Sequence, residues 1–349
     1  MASPLTQSAG TARRDDWPPA SKSLHRWLEA DPRRDDPARR LEDFCRLGFD
    51  ELPLPGHGGT LARWQRLALL SRFDLSFAKL VEAHTDTVAI LCELGASPPP
   101  GARLAIWASE PLDARLRVRE QHGRWAITGR KSWCSGAWQV SHALVTGWNS
   151  DGEQCLALVD VQSTGVCRGR AGWSAIGMAA TESVDVDFTS ALGEKVGAAG
   201  AYTGRPGFWH GAMGIAACWY GASTLLADAL RRACAEASDP HRDAQLGRVD
   251  ASLFGARSAL RDAARQVDAA PGLPHQGLAM RLRALVEAAA ATTIDGVGRA
   301  LGATPFCRDA SFARHMADLP VFLRQSHAER DLAGLARQVV QERADAWAL

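Results

Sequence analysis

The sequence predicts an α+β protein: an N-terminal helical domain, a small β-sandwich or barrel in the middle, and a C-terminal helical bundle. Three observations carry this. Residues 21–97 place apolar residues at helical spacing between recognisable caps. Residues 98–190 break into short alternating runs separated by turn signals. Residues 205–349 return to long Ala-rich helical runs. Helices and strands kept apart in sequence argue against alternating βαβ units.

The elements follow in order. Residues 1–20 carry Pro and acidic residues early and no apolar run, so they read as a disordered lead and not as a secretory signal. "SLHRWLEA" reads as a helix. A second, "DDPARRLEDFCRLG", has Asp36 as N-cap, Pro37 at its first position and Gly48 at its stop. "PLPGHGGT" is a loop, and Thr60 caps "LARWQRLALLSRF". Asp74 caps a long apolar helix that ends at Gly95. The middle segment offers "ARLAIWAS", "RLRVREQ", "RWAITGRKSW", "SHALVTGW", "CLALVDV" and "ESVDVDF" as strands, with "HGR", "NSDGE" and "STG" between them. Gly129 in "RWAITGRKSW" reads as a hairpin turn. Helices then resume at "FWHGAMGIAACWYGASTLLADALRRACAEAS", "RVDASLFGARSALRDAARQVDAA" and "GLAMRLRALVEAAAATTIDGVGRALG", and the chain closes on one or two more.

Composition narrows the function. The 349 residues carry a net charge of +1, which gives no field for nucleic acid or an acidic membrane. No apolar run is long enough to span a bilayer. Eight cysteines lie scattered with no C-x-x-C pair, which suggests buried free thiols in a reducing, cytoplasmic compartment. No two histidines stand three or four residues apart, so no helical metal site is expected. "GRKS" fails as a phosphate loop, because Arg130 interrupts it and its context is strand. Twelve Trp against two Tyr is lopsided, and core packing accounts for most of the indoles. By pattern alone Trp133 reads as one of these.

Three stretches in order nevertheless resemble the acyl-CoA dehydrogenase family of flavoproteins. "WASEP" (Trp107–Pro111) is similar to the family's first flavin stretch and places a hydroxyl at Ser109. "GRKSWCSGA" is similar to its Gly-x-Lys-x-Trp-Ile-Thr-Asn stretch, with Trp133 as the indole that covers the ring and Ser135 as the hydroxyl that bonds it. "GMAATESVDVDF" is similar to the strand after its Gly-Met pair, here Gly177 and Met178. The resemblance covers roughly 35–345 and implies a FAD-dependent oxidoreductase of acyl-CoA dehydrogenase type. Its substrate would be a small molecule, an acyl-CoA or carrier-bound acyl group. The resemblance further implies a homodimer or homotetramer and a redox partner.

The chain departs from the family where its chemistry is made. The two positions that supply a catalytic Glu fall on Gln325 and Gly211, and neither side chain is a base. The clamp for the adenosine end of FAD, Arg-x-x-Phe-Gly, has no match, and the late Gln-x-x-Gly-Gly-x-Gly keeps only Gly302, with Arg299 in place of Gln. "SHAERD" sets His327 four residues before Asp331, one helical turn on, and is similar to a stretch in flavin monooxygenases of the same fold. The expected catalytic residues are His327 and Gln325, and the expected cofactor residues are Ser109, Trp133, Ser135, Arg299 and Gly302. A flavin monooxygenase fed by a partner, or a scaffold without catalysis, are the alternatives. In these His327 has either a catalytic or a surface role.

Overall fold

The computed structural model describes residues 19–30, 36–111, 115–170, 172–341 and 347. Most of the expected lead, residues 1–18, lies outside them; Pro19 and Ala20 already belong to the first helix. Four helices open the chain: α1 (Pro19–Ala30), α2 (Pro37–Arg46), α3 (Thr60–Phe73) and α4 (Leu75–Glu93). Asp36 caps α2 by accepting from the Arg39 amide, with Pro37 in its first turn. Asp74 caps α4 through the Phe77 amide. Thr60 does not cap α3. It is the first helical residue, and its hydroxyl bonds Asp268 (2.6 Å) and accepts from the Gly56 amide (2.8 Å).

Fifteen of the nineteen residues of α4 are buried. That helix runs through the middle of the molecule, between the β-domain and the C-terminal helices, which is why its sequence is apolar on nearly every face.

Seven strands follow: β1 (Leu104–Trp107), β2 (Arg117–Gln121), β3 (Arg124–Cys134), β4 (His142–Trp148), β5 (Gln154–Asp160), β6 (Val166–Arg168) and β7 (Val184–Val196). Their pairing closes a ring, β4–β2–β3–β7–β5 and back to β4, so the middle segment is a barrel. β1 adds to β4 in parallel and β6 adds to β7. Alternate residues such as Val118, Ile127, Val145, Ala157 and Val186 fill the interior. The β2–β3 turn is His122–Gly123, both at positive φ. Gly129, expected as a turn, lies inside β3 at a register shift with φ +124°, a conformation that needs glycine, and a Cβ there would meet the Arg115 carbonyl. The alternating pattern continues on both sides of Gly129, so the glycine bends the strand without ending it.

The C-terminal part comprises α5 (Ala201–Gly204), α6 (Gly207–Glu236), α7 (Pro240–Ala269), α8 (Gln276–Leu301), α9 (Thr304–Arg308), α10 (Ala310–Phe322) and α11 (Glu329–Val339). α7 starts eight residues before the run read from sequence, because Asp239 caps it and Pro240 occupies its first turn. Small residues on α6, among them Ala216, Ala217 and Ala222, let α3 and α8 approach closely, and Trp64 and Leu67 of α3 share this core. All eight cysteines are free, but Cys92, Cys167 and Cys307 are exposed, which corrects the expectation that the thiols are buried. No helix among the described residues is long and apolar enough to cross a membrane.

Candidate functional site

The end of β1 and a bulge in β3 come together at the barrel rim. The Trp107 indole donates to the Ser135 carbonyl (3.0 Å) and ties the two segments. Past Trp107 the chain turns through Ser109 and Glu110. The Glu110 carboxylate accepts from Thr146 Oγ1 (2.7 Å), Trp148 Nε1 (3.0 Å) and Gln154 Nε2 (3.1 Å). The fully buried Lys131 ammonium donates to Thr146 Oγ1 (2.7 Å) and to its carbonyl (3.0 Å), 3.8 Å from Glu110. Burial pushes that ammonium down to about 8, and Glu110 opposes the fall. This network locks the turn. The Ser109 hydroxyl on the same turn is buried and finds no partner among the described residues.

The β3 bulge falls between Lys131 and Cys134. Trp133 sits there at φ +59°, in the left-handed region, with 56% of its surface exposed. A large non-glycine residue in that region costs on the order of 1–3 kcal/mol and persists only when its surroundings demand it. The bulge aims the indole away from the barrel interior, so Trp133 is not the core residue that its pattern suggested. Two residues on, Ser135 Oγ bonds Ser183 Oγ (2.7 Å), which bonds Thr181 Oγ1 (2.9 Å), which donates to the Met178 carbonyl (2.7 Å). The Met178 amide in turn donates to the buried Asp318 of α10 (2.6 Å). This ladder joins the rim to the helices. Thr181 and Ser183 escaped the sequence reading; they lie just before β7, Thr181 at the end of a 3₁₀ turn and Ser183 after the left-handed Glu182, a geometry that no strand alternation announces. Beside the ladder a cavity of about 500 Å³ is lined by Trp138, Arg170, Trp173, Glu182 and Ser183.

An exposed indole face, an unpartnered buried hydroxyl and a second hydroxyl held by a ladder are what a flat heteroaromatic ring with a polar edge requires. The residues present fit a flavin. Ser109, Trp133 and Ser135 would hold it.

The other expected residues lie elsewhere. Arg299 is exposed on the last turn of α8, 3.8 Å from Asp295, and Gly302 caps that helix at φ +61°. Gln325 is exposed at the end of a short 3₁₀ turn, and its carbonyl accepts from Arg283 (3.2 Å), which also bonds the Ala212 carbonyl (2.8 Å). His327 does not sit one helical turn from Asp331 within a helix. It precedes α11, with Ala328 at φ +44° between, and Asp331 accepts from the His327 amide (3.0 Å) while its carboxylate lies 3.4 Å from Nδ1. The imidazole is exposed. No hydrogen bond among the described residues joins this pair to the rim. At Gly211 a Cβ would lie 2.6 Å from the Asp86 carboxylate, so a Glu side chain has no room there.

Cys45, Asp50 and His84 form the one cluster of metal-ligating residues among those described. The Leu104 amide donates to His84 Nδ1 (3.0 Å), which leaves the proton on Nε2, facing Asp50 (3.2 Å) and Cys45 (3.6 Å). A metal at Nε2 would need the opposite tautomer. Burial also pushes the Cys45 thiol up to about 12. The cluster is a structural pin between α2, α4 and β1.

No family model and no curated protein matches the chain. Solved structures do. The dibenzothiophene monooxygenase TdsC of Paenibacillus sp. A11-2, in its FMN-bound form, aligns with 18% identity over 93% of this chain and 97% of its own, at a TM-score of 0.79. The methanesulfinate monooxygenase MsuC of Pseudomonas fluorescens gives 19% identity, 94% and 98% coverage and a TM-score of 0.75. A nitrososynthase of Micromonospora carbonacea var. africana gives 18%, 93% and 97%, and 0.74. Likeness this complete at such low identity establishes the architecture: the chain has the acyl-CoA dehydrogenase fold.

Proposed function

We propose that the chain is a flavin-dependent oxidoreductase, and that it works as a monooxygenase on a small molecule. The observation that carries the flavin assignment is the rim itself: a strained, exposed Trp133 beside the unpartnered Ser109 hydroxyl and the braced Ser135. Bound flavin would supply hydride transfer or, once reduced, reaction with dioxygen. Trp133 would cover the ring and exclude water, Ser109 and Ser135 would bond its polar groups, and the Ser183–Thr181 ladder holds Ser135 in place.

The oxygen-using reading rests on what the chain lacks. Gln325 carries no basic group and Gly211 has no room for one, so α-proton removal from an acyl thioester has no carboxylate at either place. The fold neighbours named as monooxygenases support this reading, and FMN in TdsC supports a mononucleotide as sufficient cofactor. The FAD implied by the family resemblance is the other arm of the test. The absence of an adenosine clamp favours FMN.

The test is a thermal titration of the purified chain with FMN and with FAD, followed by oxygen uptake with reduced flavin. Flavin should raise the melting temperature by ligand linkage, and Trp133→Ala should remove most of that shift. An equal shift in the variant sinks the assignment. Rapid dye-linked oxidation of common acyl-CoAs without oxygen would overturn the monooxygenase reading, because a missing base costs roughly 10²–10⁴-fold.

A further inference from the structure

The buried central helix α4 carries a row of polar residues, and their pairing is nearly complete. Ser76 donates to Asp318 (3.3 Å), and Lys79 bonds Glu82 (2.7 Å). His84 takes the Leu104 amide, and Thr85 and Thr87 donate to the carbonyls of Val81 (2.9 Å) and Ala83 (2.7 Å). Asp86 is the exception. Among the described residues its carboxylate makes no hydrogen bond and no ion pair, although it is packed against α6 closely enough that Gly211 has space for nothing but a hydrogen.

Asp86 lines a cavity of about 190 Å³ between α4, the start of α6 and the loop before α3. Arg205, Glu93 and His210 share that lining, with Pro55, Ala89 and Pro271 as its apolar wall. Glu93 is satisfied, by Arg205 (2.8 Å) and by the Gly207 amide (2.9 Å). His210 is satisfied by the Leu273 carbonyl (3.0 Å), and burial pushes its imidazole below the usual histidine range. Arg205 is 6% exposed, and its Nε has no partner among the described residues. So one cavity wall holds an acceptor without donors, and a residue beside it holds a donor without an acceptor.

We propose that this cavity binds a small vicinal amino alcohol, with the ammonium on Asp86 and the neighbouring oxygen on Arg205. An ammonium brings three donors to a carboxylate that has none, and an alcohol alone brings one. The charges agree. Within the lining Glu93 pairs with Arg205; Arg63 acts on Asp86 from outside the lining without a hydrogen bond to it among the described residues, so the ligand's ammonium supplies the direct contact that the carboxylate lacks.

Around Asp86 stand Arg63 of α3, Lys79 and Glu82 of α4, and Tyr202 and Arg205 at the entry to α6, with His57 and His210 across the cavity. Burial raises the Asp86 carboxyl above its ordinary range, with Arg205, Arg63 and Lys79 opposing and Glu82 reinforcing. An ammonium ligand selects the carboxylate form over the acid. Binding should strengthen as pH rises through the Asp86 titration.

The experiment is a thermal-shift titration of the full chain, without added flavin, using ethanolamine hydrochloride, ethylamine hydrochloride and ethylene glycol against matched sodium chloride. Ethanolamine should give a saturable rise, ethylamine a smaller one and ethylene glycol none. Asp86→Asn should fold at least as well as the native chain, since it removes an unpaired charge, and should abolish the ethanolamine response. Gly211→Ala, whose Cβ would stand 2.6 Å from the carboxylate and push it aside, should weaken it. Equal responses to all three probes, no response at all, or a response that survives Asp86→Asn overturns the proposal. No flavin enters the measurement, so its failure and the failure of the flavin assignment are separate outcomes.

Discussion

The barrel rim and the α4–α6 cavity both keep charged groups away from water, and they finish the task differently. At the rim Lys131, Thr146 and Glu110 satisfy one another, and Trp148 and Gln154 complete the carboxylate. In the cavity Asp86 is left open beside an unpartnered Arg205 Nε. The contrast repeats within a single dipeptide at the rim: among the described residues Glu110 has three donors, and the adjacent Ser109 hydroxyl has no partner. Burying a polar group without a partner is costly, whereas a complete network rigidifies its surroundings. Here the Glu110 carboxylate is satisfied by the frame, whereas Ser109 and Asp86 are left open beside a rim and a cavity where a ligand would complete them.

The largest effect expected from this contrast is at Lys131. Lys131→Met breaks a buried pair and should cost about 3 kcal/mol, read as a fall in the urea midpoint. Asp86→Asn should cost nothing. Equal losses in the two variants would erase the distinction between frame and site. The native chain also carries a pH signature. Its Lys131 ammonium titrates near 8 when folded, against about 10.4 when unfolded, so between these values the unfolded state binds more protons. Stability from this group should rise with pH across that window, and Lys131→Met should flatten the rise.

Next comes Trp133. With 56% of its surface exposed, Trp133→Ala should leave the stability of the flavin-free chain within roughly 0.5 kcal/mol while removing the flavin-induced shift. Trp133→Gly should stabilise the chain by up to about 1 kcal/mol, because glycine tolerates the left-handed bulge. A large loss in either variant would mean the indole packs against something and is not held open for a ring.

Ser109→Ala should leave stability unchanged, since its hydroxyl has no partner among the described residues, and weaken flavin binding by about 0.5–1.5 kcal/mol, a few-fold to roughly tenfold in Kd. Ser183→Ala should lower both, because it cuts the ladder behind Ser135. The smallest effect on stability is expected at His327, whose exposed pair with Asp331 is worth less than about 0.5 kcal/mol. If His327→Ala abolishes oxygen-dependent turnover while stability and flavin affinity hold, this exposed imidazole joins the site despite its distance in sequence from the rim; unchanged turnover leaves it a helix-end residue.

Much of the fold was legible because its signals are local. Asp36–Pro37, Asp74 and the His122–Gly123 turn act through their own neighbours, and periodicity separated helix from strand. Gly129 was misread for the same reason: a glycine that turns a hairpin and a glycine that bends a strand look alike until the partner strand is seen. The site was half legible. Ser109, Trp133 and Ser135 were named through the order of their motifs, but the exposure and left-handed backbone of Trp133 come from the bulge against β7, which no residue of β3 announces. The Ser135–Ser183 bond joins positions 48 residues apart.

By itself the sequence determined the helix–strand–helix order, the caps at Asp36 and Asp74, the three stretches that resemble a flavin site and the loss of a carboxylate at positions 211 and 325. These follow from short-range sterics, hydrogen bonding and side-chain chemistry, which are written in consecutive residues. Tertiary structure alone decided which polar groups are satisfied. Lys131 needs Thr146 and Glu110 from other segments, Asp86 meets Gly211 from across a helix interface, and Ser109 finds no partner among the described residues. Whether a buried group is frame or site depends on donors and acceptors brought from distant parts of the chain, and the desolvation that makes the difference matter exists only once those parts have packed.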